Sequence, residues 1–305
     1  MGANLKEVRE RIKSVKSTQQ ITNAMKLVSA AKLRRAQEAI TRMRPYANKL
    51  NALLGNILSN IDGDASSTYG TEREIKNALM VVVTSNRGLC GGFNSNISKA
   101  AVNTINTKFA TQRDNGNLTI LCIGKKGNDY FKNRYTNCSK ITDYVELFSD
   151  LSFDNVSQVP NGLMKQFAAG EYDAIHVAYG RFKNAAMQFA ESVQFLPVAP
   201  MKGTKSEEES KAASNMKADY IFEPDETTLL EHLIPSILQT TFQKFVLDTN
   251  ASEHGARMTA MDKATENAED MLKELKISYN KARQEAITKE LSEIVGGAAA
   301  LEGGS

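Results

Sequence analysis

The stretch with the most chemical promise in this 305-residue chain is TSNRGLCGGFN, residues 84–94. It follows a run of β-branched residues and precedes a segment able to start a helix, the place where backbone N–H groups often bind anions. The glycine spacing is G-x-x-G-G. That is neither the dinucleotide fingerprint nor the phosphate loop, and no lysine sits in the stretch to reach a phosphate. Cys90 could be a nucleophile only beside a base and an orienting group. The three histidines, His176, His232 and His254, stand in no recognisable catalytic pattern. The remaining reading is a tight turn that brings backbone close to another group, with Arg87 exposed at its tip. No cysteine or histidine pair has metal-ligand spacing, so neither a metal nor a cofactor is expected.

Other features limit the chemistry further. Net charge is +3 and charged residues make up 24% of the chain, ordinary values that imply no partner by themselves. Cys90, Cys122 and Cys138 form an odd, scattered set, which points to a reducing compartment rather than a disulfide framework. The first residues carry charges throughout, unlike a secretory leader. No apolar run is long enough to span a bilayer, so direct membrane insertion is not expected.

The elements that must hold this loop are read from periodicity. Leu5, Val8, Ile12 and Val15 have coiled-coil seam spacing. The stripe resumes after a polar gap at Met25, Val28 and Ala31, then runs through Ala36, Ile40, Met43, Leu50, Leu54 and Ile57. This predicts one long helix over 1–60, bent or shifted at worst near Pro45 and spanning roughly 80 Å. At the other end Met261, Ala264, Ala268, Met271, Leu275, Tyr279, Ala282 and Ala286 define a second stripe within 220–305, with a kink or break expected at Pro235. The alanine-rich stripes suit an antiparallel coiled coil. Between them, over 75–200, NALMVVVT (77–84), LTILCIG (118–124) and DAIHVAYG (173–180) read as strands separated by helical stretches such as 94–112. AMQFAESVQFLPV (186–198) reads as an antiparallel edge strand. Residues 201–219 read as an exposed loop. The predicted fold class is α/β, with an open α/β domain inserted between two long terminal helices.

Two further patterns bear on partners. Residues 1–50 hold twelve basic groups against three acids, enough to track nucleic-acid phosphates or to face an acidic protein surface. From Ala251 onward ten acids stand against seven bases, a partial internal balance. Without stacking aromatics a protein partner is favoured. IVGGAAAL (294–301) is uncharged, small and apolar at a helix end, which marks an interface. Side chains of that kind give smooth contacts, suited to a part that turns inside a collar.

Several motifs together resemble one family, the gamma subunit of F-type ATP synthase. They are ITNAMKLVSAAKLRRAQ (21–37), RPYA (44–47), TSNRGLCGGFN (84–94), YIFEPD (220–225), ASEHGARMTAMDKATENA (251–268), YNKARQ (279–284) and ITKELSEIVGGAAA (287–300). The resemblance covers essentially the whole chain. It implies a coiled-coil shaft around an inserted Rossmann-like domain, acting as a non-catalytic central-stalk rotor. The implied partners are an alpha–beta hexamer, epsilon and the membrane c ring, with no nucleic acid. The implied location is the cytoplasmic face of the bacterial inner membrane. It assigns beta-subunit contacts to Met25, Arg87, Cys90, Arg257, Arg283, Gln284, Thr288, Glu290 and Glu293. It assigns the foot on the c ring to Tyr220, Glu223 and Asp225, and an apolar bearing tip to Gly296, Gly297, Ala298, Ala299 and Ala300. A nucleotide-dependent α/β enzyme and a basic coiled-coil nucleic-acid-binding or scaffold protein are the alternatives from other classes.

Overall fold

A computed structural model describes residues 5–60, 69–70, 73–198 and 226–302, with side chains described outside 51–60, 226–232 and 299–302. The element order is α1 (Leu5–Asn60), β1 (Ala78–Val83), α2 (Phe93–Lys108), α3 (Ala110–Asp114), β2 (Leu118–Ile123), α4 (Lys125–Arg134), β3 (Ser139–Ile141), a short 3-10 turn (Leu147–Ser149), α5 (Phe153–Ala168), β4 (Ala174–Phe182), β5 (Gln188–Leu196) and α6 (Glu226–Glu302). The expected mixed α/β class with long terminal helices is what is found. Both long helices pass through their prolines, Pro45 and Pro235, as single helices, so the break considered at Pro235 does not occur.

The chain divides into two compact units, one of Met1–Ser29 and Met258–Ser305, the other of Ala30–Arg257. In the second unit the strands form one sheet of order β3-β2-β1-β4-β5. β1 pairs in parallel with β2 and β4, β2 pairs in parallel with β3, and β5 runs antiparallel at the edge beside β4. A central parallel strand is covered on both faces and therefore reads as an unbroken apolar run; all six residues of β1, ALMVVV, are buried. Period-two alternation sorts them. Leu79, Val81 and Val83 face a cluster with Val156, Leu163 and Phe167 of α5 and Ile237, Phe242 and Val246 of α6. Ala78, Met80 and Val82 face Ile97, Ala101 and Ile105 of α2, with Phe131 of α4. Each fully buried branched or aromatic side chain contributes about 1.5–3 kcal/mol, so this two-sided core fixes the sheet.

The helix over 94–112 divides into α2 and α3, with Phe109 between them. β3, α4 and α5 were not read from the sequence. β3 has only three residues, and α5 carries Pro160 within it.

In the first unit, residues of α1 and α6 pair in antiparallel order. Arg9 donates to the Tyr279 hydroxyl at 3.0 Å, the Thr22 and Thr265 hydroxyls lie 2.8 Å apart, and Lys26 pairs with Asp262. The seam departs from the expected one. Val28 is exposed, while Thr22 and Ser29 are buried; in the second unit Ala31 is exposed and Leu33 buried. Met271 is exposed and its neighbour Leu272 is buried. The cause is local satisfaction of polar groups. The Ser29 hydroxyl donates to the Met25 carbonyl at 2.7 Å, and Thr22 is bonded to Thr265, so both can sit inside at little cost.

Candidate functional site

The glycine loop leaves the carboxyl end of β1, the central strand. The chain lays β2 and β3 on one side of β1 and β4 on the other. In an open α/β sheet this switch point is where a nucleotide usually binds. Here it is filled by the chain itself. Gly180, near the end of β4, donates its N–H to the Thr249 hydroxyl at 3.2 Å, and its carbonyl accepts from the Ser252 hydroxyl at 3.0 Å. A Cβ on Gly180 would stand 2.7 Å from the Phe93 ring, which is why glycine lets α2, β4 and α6 meet there.

The loop is cross-braced from within. The Ser85 N–H donates to Asn94 Oδ1 at 3.0 Å, and the Ser85 hydroxyl donates to the Arg87 carbonyl at 2.7 Å. Asn94 Nδ2 donates to Ser85 Oγ at 2.8 Å and to Cys90 Sγ at 3.2 Å. Leu89 takes a left-handed φ of 63°, rare for a leucine, and its side chain is 64% exposed.

Arg257 of α6 closes the arrangement. Its Nη2 donates to the Arg87 carbonyl at 3.2 Å and the Gly88 carbonyl at 3.3 Å, and its Nε reaches Gly88 at 3.4 Å. The same guanidinium pairs with Glu253 at 2.7 Å, with both side chains buried. Its Nη1 lies 3.3 Å from His254 Nδ1, which must accept because arginine only donates. Burial, then the Arg257 charge, lowers the His254 pKa to about 4, so this ring is neutral near pH 7.

This electrostatic pattern opposes phosphate binding. A phosphate cradle points N–H groups inward. This loop points the carbonyls of Arg87 and Gly88 inward, onto a cation. The Cys90 thiol is pushed up by burial, the largest effect, with Arg257 acting against it. A thiol in that state is a poor nucleophile. All three cysteines are free and buried. Among the described residues no group of three or more His, Cys, Asp or Glu could hold a metal ion, and no helix is long and apolar enough to cross a membrane.

The expected contact residues fall into three groups. Arg87 is exposed at the loop tip. Cys90 and Arg257 are 2% and 8% exposed in the chain and are bonded to the loop. Met25 is half-buried beside the Thr22–Thr265 seam, whereas Arg283, Gln284, Thr288, Glu290 and Glu293 are exposed on α6. Since Arg9 pairs with Tyr279, the α6 residues past about 284 continue beyond the start of α1. Along that stretch Ile287, Leu291, Ile294 and Val295 are exposed, and no described residue lies within 4 Å of a Cβ added at Gly296 or Gly297. Ala298 is exposed too. The side chains of Ala299 and Ala300, and all of Tyr220, Glu223 and Asp225, lie outside the described residues. The brace of Ser85, Asn94, Glu253 and His254 was not foreseen; its one sequence signal is the i,i+4 spacing of Glu253 and Arg257.

Known proteins resemble the chain along its full length. A family model described as ATP synthase matches residues 4–301. The ATP synthase gamma chain of Flavobacterium psychrophilum is 50% identical over 99% of this chain and 100% of its own length. That of Cytophaga hutchinsonii is 50% identical over 98% and 99%. A chain in the Euglena gracilis mitochondrial ATP synthase structure (OSCP/F1/c-ring, rotational state 3) superposes with a TM-score of 0.63 at 22% identity, covering 98% of this chain and 95% of that one. At that identity the superposition speaks for the fold, and the near-full-length bacterial relatives speak for the family. The chain belongs to the ATP synthase gamma-chain family.

Proposed function

We propose that the chain is the central-stalk rotor of an F-type ATP synthase. It couples ion flow through a membrane c ring to conformational change in the catalytic beta subunits and performs no bond chemistry itself. The observation that carries this reading is the lone, uncharged end of α6. A soluble protein seldom leaves Leu291, Ile294, Val295, Gly296 and Gly297 uncovered on one helix unless a partner covers them. A collar of alpha and beta subunits fits that length of bare helix. Within it Met25, Arg283, Gln284, Thr288, Glu290 and Glu293 meet beta, Arg87 meets an acidic surface of beta, and residues 296–300 form the bearing. Tyr220, Glu223 and Asp225 belong to the foot on the c ring, with epsilon beside it. The assembly lies on the cytoplasmic face of the bacterial inner membrane. Coupling of this kind needs only differential contact with the alternative states of each beta site.

The α/β enzyme reading is disfavoured by the plugged switch point and by the inward carbonyls of the glycine loop. The test is copurification. An affinity tag on this chain should recover alpha, beta and epsilon at fixed ratio, with ATPase activity residing in the complex. Recovery of the chain alone, with ATP hydrolysis lost on a point change within it, would overturn the reading.

A further inference from the structure

We propose that Arg257 is a positioning residue that acts through the glycine turn: it holds the carbonyls of Arg87 and Gly88 so that the Arg87 guanidinium is presented outward. The proposal rests on the rotor reading above and changes what Arg257 does within it, from a group that touches a partner to one that aims the group that does.

The geometry leaves Arg257 little else to do. Each of its three nitrogens is engaged inside the chain: Nε on Gly88, Nη1 on His254, and Nη2 on Arg87, Gly88 and Glu253. The residue is 8% exposed. Arginine's planar fork suits this task, because it can span two carbonyls while facing a carboxylate; an ammonium is a point charge without that reach. The turn also needs support from outside itself. Leu89 sits at a φ of 63° and Gly91 at 58°, and Leu89 is a side chain that this region disfavours. Asn94 and Ser85 brace one side of the turn. Arg257 braces the other, and the buried Glu253 carboxylate keeps it in place. Arg87 is the charged side chain that this frame leaves exposed at the tip.

A double-mutant cycle in the assembled complex separates aiming from touching. Arg87→Ala, Arg257→Lys and the double variant would be compared by ions pumped per ATP hydrolysed. Arg257→Lys keeps a cation beside Glu253, so the fold is preserved while the fork is lost. Each single change is expected to lower pumping per ATP about threefold or more, with the double variant no worse than Arg87→Ala alone. Losses that multiply would overturn the proposal, since Arg257 would then act on the partner directly. In the free full-length chain, amide exchange over residues 86–92 should quicken about tenfold in Arg257→Lys while the melting temperature holds; unchanged exchange would also overturn it. A silent Arg87→Ala would overturn it through the rotor reading beneath, and is told apart because the exchange in Arg257→Lys would still respond.

Discussion

At the scale of single residues, the same chemical types serve opposite ends depending on what surrounds them. Cys90 has the chemistry of a nucleophile, and Arg257, Glu253 and His254 are ionisable. Burial and mutual pairing turn them into a frame for one turn. His176 on β4 shows the same logic without a partner. It packs edge-on against the Phe109 ring with centroids 5.1 Å apart, and its Nδ1 is buried with no hydrogen-bond partner among the described residues. Burial, then the Lys108 charge, lowers its pKa to about 4. The ring is therefore neutral in the folded chain but takes up a proton near pH 6.5 when unfolded. The folded state binds fewer protons in that window, so stability is full above pH 6.5 and is lost as pH falls toward about 4. His254 adds a loss of the same sign. Asp248 opposes them: burial raises its carboxyl to about 6, so its destabilising charge disappears on acidification. In His176→Leu, the fall in stability between pH 6.5 and 4 should shrink by roughly 2–3 kcal/mol. Denaturant melts at several pH values measure this, and an unchanged slope would mean that His176 titrates normally in the fold.

At the scale of elements, legibility followed burial. β1, β2 and β4 could be read because strands covered on both faces are rich in apolar residues, and β5 because AMQFAESVQFLPV alternates in sequence. β3 has an exposed serine and two half-buried residues, so it carries no such pattern. The shaft seam was misread where Thr22 and Ser29 replace apolar residues, because their hydroxyls are satisfied by Thr265 and by the Met25 carbonyl. Glycines also carried meaning that composition hides. Gly124, between β2 and α4, has a φ of 94°, and a Cβ there would lie 2.1 Å from the Thr84 carbonyl oxygen. That oxygen is backbone and cannot swing aside, so Gly124→Ala must shift the start of α4 or the end of β1. A loss of roughly 2–5 kcal/mol is expected, from overpacking and left-handed strain together. Thermal unfolding of the free chain reads it directly, and a melting temperature equal to the parent's would show that this junction is softer than its packing implies. The glycine loop itself was legible as a turn. The brace behind it was not, because Arg257 stands 170 residues from Arg87 in sequence and meets it only once the sheet and α6 have formed.

At the scale of the whole molecule, the chain belongs to the ATP synthase gamma-chain family, and two of its features bear on the rotor role proposed above. Its α/β unit packs residues of α6 against Gly180 at the sheet's switch point, and no described residue lies within 4 Å of a Cβ added at Gly296 or Gly297 of its last helix. The bare end should be indifferent to charge in the free chain and sensitive to it in the assembly. In Ala298→Asp the carboxylate meets only water when the chain is alone, so the melting temperature should stay within about two degrees of the parent's. Inside an apolar collar the same group must lose hydration or take up a proton, costing several kcal/mol. Assembly or turnover of the complex should therefore fall sharply. Equal behaviour of parent and variant complexes would remove the tip from the bearing.

If the chain is the rotor proposed above, it turns while its partners do the chemistry. Because its three cysteines are buried and unpaired, Asn133→Cys on the exposed face of α4 gives one thiol that a probe can label selectively. With the complex fixed to a surface through its beta subunits and a bead attached at that thiol, ATP is expected to drive stepwise rotation in one direction, three steps to a turn, one for each catalytic site. Steady ATP hydrolysis with the bead held still would contradict the rotor reading outright.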